Sequence, residues 1–327
     1  MSTLLSGDNV NKPKRSSKLT SLEVCAGAGG QALGLEQSLF EHTALVELEP
    51  TFCHTLRLNR PYWNVIQEDL RIFKERARHF KGIDVFTGGL PCPPFSVAGK
   101  QLGEKDERNL FPDALEIIAA TDPKAVMIEN VRGFLSPVFA DYRQSLRAKL
   151  AKMGYTVDWK LLNASDFGVP QLRPRVVVIA LKSRYAQNFN WPTSATRAPT
   201  VGETLQDLMA ANNWIGAAAW ANRADNIAPT VVGGSKKHGG PDLGPTRAKN
   251  AWKMMGVDGM SLAENAPPHG FTGAPKLTVR MVARLQGFPD DWRFAGTKTA
   301  AYRQVGNAFP PPVARAVSAQ IRKALGA

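Results

Sequence analysis

Cys92 is the residue in this chain best suited to covalent chemistry. It lies in the loop Gly88-Gly89-Leu90-Pro91-Cys92-Pro93-Pro94-Phe95-Ser96. The apolar run Gly82-Ile83-Asp84-Val85-Phe86-Thr87 reads as a buried strand, and the glycines and prolines after it prevent its continuation. A thiol held at a strand end on a stiffened turn is a nucleophile when its surroundings raise the thiolate fraction. The competing reading is a small buried apolar residue, the usual fate of a free cysteine. Glu129 closes a second apolar run, Ala125-Val126-Met127-Ile128. Half-buried at that point, a carboxyl holds its proton toward neutral pH and can pass it to a substrate; exposed, it is only a strand-end acid or a helix cap. Arg173 and Arg175, two apart ahead of the run that ends at Leu181, face one side of an extended segment. Such a pair can grip phosphate and base together, or serve as surface charge.

The elements that must position these groups alternate between strand and helix. Leu22-Glu23-Val24-Cys25 leads into Ala26-Gly27-Ala28-Gly29-Gly30, and Gln31 to Glu36 continues at helical spacing. A glycine turn between strand and helix lets a ligand approach the backbone and offers free amide donors. Tight packing is its bland alternative. Ala44-Leu45-Val46-Glu47 reads as the next strand, ending in a carboxylate about twenty residues beyond the glycines, where nucleoside-binding α/β folds place an acid for ribose hydroxyls. Leu48, next in line, could pack on a base. After a helix over Thr51 to Asn59, Val65 to Asp69 reads as a third strand. Ligands in such sheets sit outside the carboxyl ends of the strands, and Gly27, Glu47, Asp69 and Cys92 all fall there.

Composition narrows the partners. At 327 residues the chain can bury a substantial core. Its net charge of +13 favours a polyanion, nucleic acid first, over simple solubility. The excess is uneven: residues 1–20 hold four basic residues and one acidic, and residues 276–327 hold nine basic and two acidic. Cys25, Cys53 and Cys92 are far apart, which disfavours a disulfide framework or a zinc site and fits a reducing cytoplasm. No apolar run is long enough to span a membrane, and the polar N-terminus lacks a signal-peptide pattern.

Residues 1–19 read as a mobile basic arm on a domain extending to residue 185. Trp159 to Leu162 and Arg175 to Leu181 form its last pair of apolar runs. From 186 to 275 periodicity weakens and the charge is near neutral, marking a second domain whose donor-rich loop carries Lys236 and Lys237. Residues 276–296 act as a hinge containing a capped helix, Leu277 to Pro289 with a glycine stop. Residues 297–327 return to the first domain, Tyr302 to Pro312 preceding a terminal helix over Val313 to Leu325.

Taken together, these blocks resemble the DNA cytosine-5 methyltransferases, in the prokaryotic form that accompanies restriction enzymes. The blocks, in the family's order, are Ala26-Gly27-Ala28-Gly29-Gly30, Gly89-Leu90-Pro91-Cys92-Pro93-Pro94-Phe95-Ser96, Glu129-Asn130-Val131, Gln171-x-Arg173-x-Arg175, and Gly306-Asn307-Ala308 with its prolines. The resemblance implies an α/β fold: a mostly parallel, Rossmann-like sheet of S-adenosylmethionine-dependent methyltransferases, with a smaller, irregular target recognition domain at 186–275. It implies transfer of a methyl group from S-adenosylmethionine to carbon 5 of a cytosine flipped out of duplex DNA. In that reading Cys92 adds to carbon 6, Glu129 serves ring nitrogen 3 and the exocyclic amine, and Arg175 holds the carbonyl oxygen with Arg173 assisting.

The implied cofactor contacts are Ala26, Gly27, Gly29, Gly30, Glu47, Leu48, Asp69, Leu70, Leu90, Asn307 and Ala308, and the implied DNA contacts are Ser96, Gln101, Lys236, Lys237 and Arg280. No metal is expected. The expected setting is a cytoplasmic, nucleoid-associated monomer working beside a restriction endonuclease. Cys25, Gln31 and Leu48 depart from the family, whose members often carry aromatic or apolar residues there, and one lost aromatic stack weakens cofactor contact by about 1 kcal/mol. The competing readings are a tRNA cytosine methyltransferase, a non-catalytic DNA binder that kept the scaffold, and a cysteine hydrolase pairing Cys92 with His54 or His79.

Overall fold

Seven strands form the central sheet: β1 (Leu19–Val24), β2 (Phe40–Glu47), β3 (Val65–Gln67), β4 (Val85–Gly89), β5 (Ala125–Val131), β6 (Tyr155–Asn163) and β7 (Pro174–Lys182). A computed structural model describes residues 18–91, 109–194, 197–233 and 240–327. The sheet order is β3-β2-β1-β4-β5-β7-β6. The first five strands pair in parallel, whereas β7 runs antiparallel to both β5 and β6. The α/β, mostly parallel architecture expected from the sequence is therefore present. Leu19 already belongs to β1 and is buried, so the N-terminal arm ends before it. The rest of that arm, residues 1–17, lies outside the described residues.

Both faces of the sheet are covered, and the strands show it with a period of two. Phe86, Val126, Ile128, Val176 and Val178 belong to one buried cluster, and Val85, Met127, Val177 and Ile179 to another. Two sequential helices, α1 (Gly30–Gln37) and α2 (Pro50–Asn59), are followed by a short α3 (Leu70–Phe73). Next come α4 (Phe111–Thr121), α5 (Ala140–Lys152) and the single turn α6 (Ser183–Ala186). Proline at the start of α2 suits a position whose amide has no helical partner.

The segment after β7 contributes α7 (Val201–Met209), α8 (Ala217–Arg223), α9 (Thr246–Met254), α10 (Val279–Leu285), α11 (Lys298–Asn307) and α12 (Pro311–Ala324). Apolar side chains from α7 to α11 share one buried cluster with Ala32, Leu33, Leu45 and Leu56 from the start of the chain. Thr278 caps α10, accepting from Met281 N at 3.2 Å, and Gly287 follows it at φ +85°, as the sequence pattern anticipates. Helix α11 is a finding of the structure. Its buried face, Ala301, Tyr302 and Val305, is too short to register as a period before Gly306 and the prolines. Helix α12 lies on α1, where Gly34 leaves space for a backbone: a Cβ there would stand 2.7 Å from Arg315 N.

Candidate active site

A cavity of about 890 Å³ opens at the carboxyl ends of the parallel strands. It lies where the chain order reverses: β2 and β3 extend from one side of β1, β4 and β5 from the other. That crevice is where α/β sheets of this kind hold ligands.

One wall comes from the ends of β1, β2 and β3. Gly27 N donates to Glu47 Oε2 at 2.7 Å and Glu49 N to Glu47 Oε1 at 2.9 Å. Each carboxylate oxygen keeps a further lone pair for a ligand. Burial nevertheless pushes the Glu47 carboxyl above its usual range, against these hydrogen bonds. Asp69 caps α3 by accepting from Arg71 N at 2.9 Å, and Arg71 Nη1 lies 3.4 Å from Asp69 Oδ2. Ala26, Gly27, Gly30, Glu47, Leu48, Asp69, Leu70, Leu90, Asn307 and Ala308 all line the cavity.

Gly29 is placed differently from its neighbours. It adopts φ +87° at the head of α1, and a Cβ there would meet Leu56 at 2.8 Å and Trp292 at 2.9 Å. Its lack of a side chain serves the turn and the packing behind it, and it does not line the cavity. A Cβ on Gly27 would meet nothing within 4 Å, so that glycine faces open cavity.

Glu23, Thr87 and Gln31 form a buried polar chain at the cavity floor that sequence reasoning missed. Gln31 Nε2 donates to Thr87 Oγ1 at 2.7 Å, and Thr87 Oγ1 donates to Glu23 Oε2 at 3.3 Å. Burial pushes the Glu23 carboxyl up to about 8, so the acid form persists at neutral pH. The available signal was Glu23 itself, a charged residue inside a strand covered on both faces. Cys25 also lines the cavity, at φ +51°. Burial, with Glu47 and Asp69 nearby, holds its thiol well above the ordinary range, which keeps it a poor nucleophile. Leu48 is 54% exposed at the cavity wall.

The other wall carries a buried ion pair. Arg175 Nε lies 2.8 Å from Glu129 Oε1, both side chains being nearly buried. The pair exists because β7 runs antiparallel to β5: its first residues reach the same edge of the sheet as the last residues of β5, Arg175 opposite Val131. Burial raises the Glu129 pKa, and the charges of Arg175 and Arg173 pull against it. Burial is the larger influence, so the site favours a carboxyl that can donate a proton. Gly89, Leu90 and Pro91 line the cavity up to the residue before Cys92, and Cys92 itself lies outside the described residues.

Arg173 departs from its expected place beside Arg175. It is fully buried, does not line the cavity, and donates to Val231 O at 2.8 Å, Gly306 O at 2.7 Å and Ala308 O at 3.0 Å. The local reason is the end of the extended register: Arg175 lies within β7, but Arg173 precedes it and turns into the joint between β7, the loop at Val231 and the end of α11. Gln171 and Gln286 complete that joint. Val231 N donates to Gln171 Oε1 at 2.9 Å, Gln171 Nε2 to Gln286 Oε1 at 2.6 Å, and Gln286 Nε2 to Ala308 O at 2.6 Å.

Among the expected DNA contacts, Ser96, Gln101, Lys236 and Lys237 lie outside the described residues. Arg280 is exposed on α10 and stands 3.2 Å from Asp290, which it shares with Arg284. Among the described residues no group of three His, Cys, Asp or Glu side chains is placed to hold a metal, and no helix is long and apolar enough to cross a membrane.

A family model described as C-5 cytosine-specific DNA methylase matches residues 19–323. The chain belongs to this family. The methylase is 55% identical over 312 residues to the Type II methyltransferase M.NgoMIV of Neisseria gonorrhoeae, a match covering 94% of this chain and 98% of that protein. It is likewise 55% identical over 309 residues to the Type II methyltransferase M.NaeI of Lentzea aerocolonigenes, covering 93% and 75% of the two chains. The crystal structure of the Dnmt2 methyltransferase of S. pombe shares the fold, with a TM-score of 0.63 at 17% identity over 95% of this chain and 100% of that one.

The protein is a DNA (cytosine-5-)-methyltransferase, and family and fold imply S-adenosylmethionine as its methyl donor. The residues present fit that donor. The cavity volume suits a nucleoside-sized ligand. The open side of Gly27 admits close approach, and Glu47 and Asp69 stand at adjacent strand ends as acceptors.

Proposed function

We propose that the methylase modifies carbon 5 of a cytosine flipped out of a short, specific duplex sequence, through a covalent adduct of Cys92, as the modification partner of a restriction endonuclease. The observation that carries this reading is the buried Glu129–Arg175 pair, 2.8 Å apart, on the cavity wall that leads through Pro91 to Cys92. The Cys92 thiolate adds to carbon 6, and a proton held at Glu129 offsets the charge that would otherwise build at ring nitrogen 3. Arg175 orients Glu129 and offers its remaining donors to the base carbonyl. S-adenosylmethionine supplies an electrophilic methyl group, and Glu47 and Asp69 hold its nucleoside end. After methylation, loss of the carbon-5 proton expels the thiolate and restores the aromatic ring.

Residues 186–275 are the target reader in this proposal, with 276–296 as a hinge and 297–327 returning to the catalytic part. Lys236, Lys237, Arg280, Ser96 and Gln101 are its proposed duplex contacts. Identity above one half to two Type II methyltransferases along nearly the whole chain supports the pairing with a nuclease.

The test uses a mixed-sequence duplex containing 5-fluorocytosine, incubated with the protein and S-adenosylmethionine. A covalent complex mapped to the peptide carrying Cys92 is the expected result, lost in C92S while cofactor binding survives. Transfer without trapping overturns the adduct, and methylation of RNA in place of DNA overturns the duplex reading.

A further inference from the structure

Arg303 stands on α11 with its guanidinium uncommitted. Three arginines line the cavity: Arg71 pairs with Asp69, Arg175 pairs with Glu129, and Arg303 has neither an ion pair nor a side-chain hydrogen bond among the described residues. Its Nε is fully buried, although the residue as a whole is only half-buried. Its guanidinium lines the cavity with its charge unmatched by any described carboxylate, and a phosphate there would take up those donors.

We propose that Arg303 binds a backbone phosphate of the substrate duplex at the rim of the cavity. The floor is closed to a duplex backbone, since Glu129 is 6% and Glu23 1% exposed and only a base or a cofactor can reach them. The rim is different. There Thr230, Val231, Val232 and Gly233 cross α11 so closely that a Cβ on Gly306 would stand 2.3 Å from Gly233 N, and a Cβ on Gly233 would stand 2.6 Å from Arg303 O. This crossing fixes Arg303 beside the segment that follows from residues 186–230, the part of the chain proposed above to read DNA. The charge distribution points the same way. The carboxylates Glu47, Glu49, Glu68 and Asp69 gather on the wall at the ends of β2 and β3, a charge that repels phosphate there and leaves the Arg303 side as the place for one. A phosphodiester has no internal counter-charge and takes its cation from the protein, releasing condensed counterions.

The inference rests on duplex DNA as substrate, and the experiment separates the two. Affinity of the full-length protein for a short mixed-sequence duplex is measured against salt concentration by anisotropy, and affinity for S-adenosylhomocysteine by calorimetry. A wild-type protein with no salt-dependent duplex binding overturns the duplex reading itself. In R303Q the slope of log affinity against log salt is expected to fall by about one, so that between about 50 and 200 mM salt the wild type loses roughly threefold more affinity than the variant. Affinity for S-adenosylhomocysteine is expected to stay unchanged, which also shows that the variant is folded, and R303K is expected to keep the wild-type slope. An unchanged slope in R303Q overturns the proposal. So does an intact slope with weakened cofactor binding, which would assign Arg303 to the carboxylate of the cofactor's amino-acid end.

Discussion

The two walls of the cavity are built by different physics. The wall at the ends of β1 to β3 is made by strand ends and the turns after them, each group positioned by its own strand and the next few residues: Glu47 by Gly27 N and Glu49 N, Asp69 by the cap of α3. The opposite wall depends on contacts across more than a hundred residues of sequence, such as Arg173 with Gly306 O and Gln171 with Gln286. A locally built wall tolerates a lost side chain with little structural change. A wall held by buried polar bridges loses its shape when one bridge goes, because each broken contact leaves a desolvated carbonyl or amide.

Three substitutions probe that contrast. The largest effect is expected at Glu129, the proposed proton donor: E129Q is expected to lower kcat by about 10²–10⁴-fold with cofactor affinity and melting temperature intact. Because the wild-type carboxyl titrates above its ordinary range, the active protonated form persists to higher pH than a surface acid would, and kcat falls as pH rises through that raised value. The E129Q profile is expected to be flat over the same range. A wild-type rate that instead rises with pH there would assign the working form of Glu129 to the carboxylate.

Arg173 separates joint from chemistry. R173M is expected to lower stability to denaturant by about 3 kcal/mol, since three buried carbonyls lose a charged donor. A variant that melts like the wild type and loses only kcat would show that Arg173 acts on the base after all. The smallest effect is expected on the floor. The folded Glu23 titrates near 8 and the unfolded one near 4.5, so the native state holds a proton that the unfolded chain has lost between these values. Its contribution is fully present below about pH 4.5 and falls, by about 1.4 kcal/mol per pH unit at most, as pH rises toward 8. E23Q lacks that dependence, and its melting temperature is expected to match the wild type near pH 4.5 and exceed it at pH 8. Equal melting temperatures at both pH values would show that Glu23 is solvated in solution.

The contrast also explains which parts were legible. Glu47, Asp69, Leu90 and Glu129 were readable because each sits where an apolar run stops, and a run's end is a local property. Gly29 and Gly27 were not told apart because glycines of a turn look alike in one dimension, and only the approach of Leu56 and Trp292 distinguishes the packed glycine from the open one at 27. Glu23 and Gln31 went unread as partners because Thr87, whose hydroxyl joins them, belongs to a strand more than fifty residues away. Helix α11, and with it Arg303, was hidden by a buried face only a turn long.

What the sequence determined by itself was the alternation of apolar strands with helices, the placing of special residues at strand ends, and the order of motif blocks that marks the family. These follow from backbone periodicity and steric limits, which act over a few residues. The tertiary structure decided the direction of β7, and with it which arginine faces Glu129. Were β7 parallel to β5, Arg175 would lie at the far edge of the sheet. Strand direction is chosen by which pairing buries both faces and satisfies the most backbone groups at once, a sum over the whole chain that no single stretch of it contains.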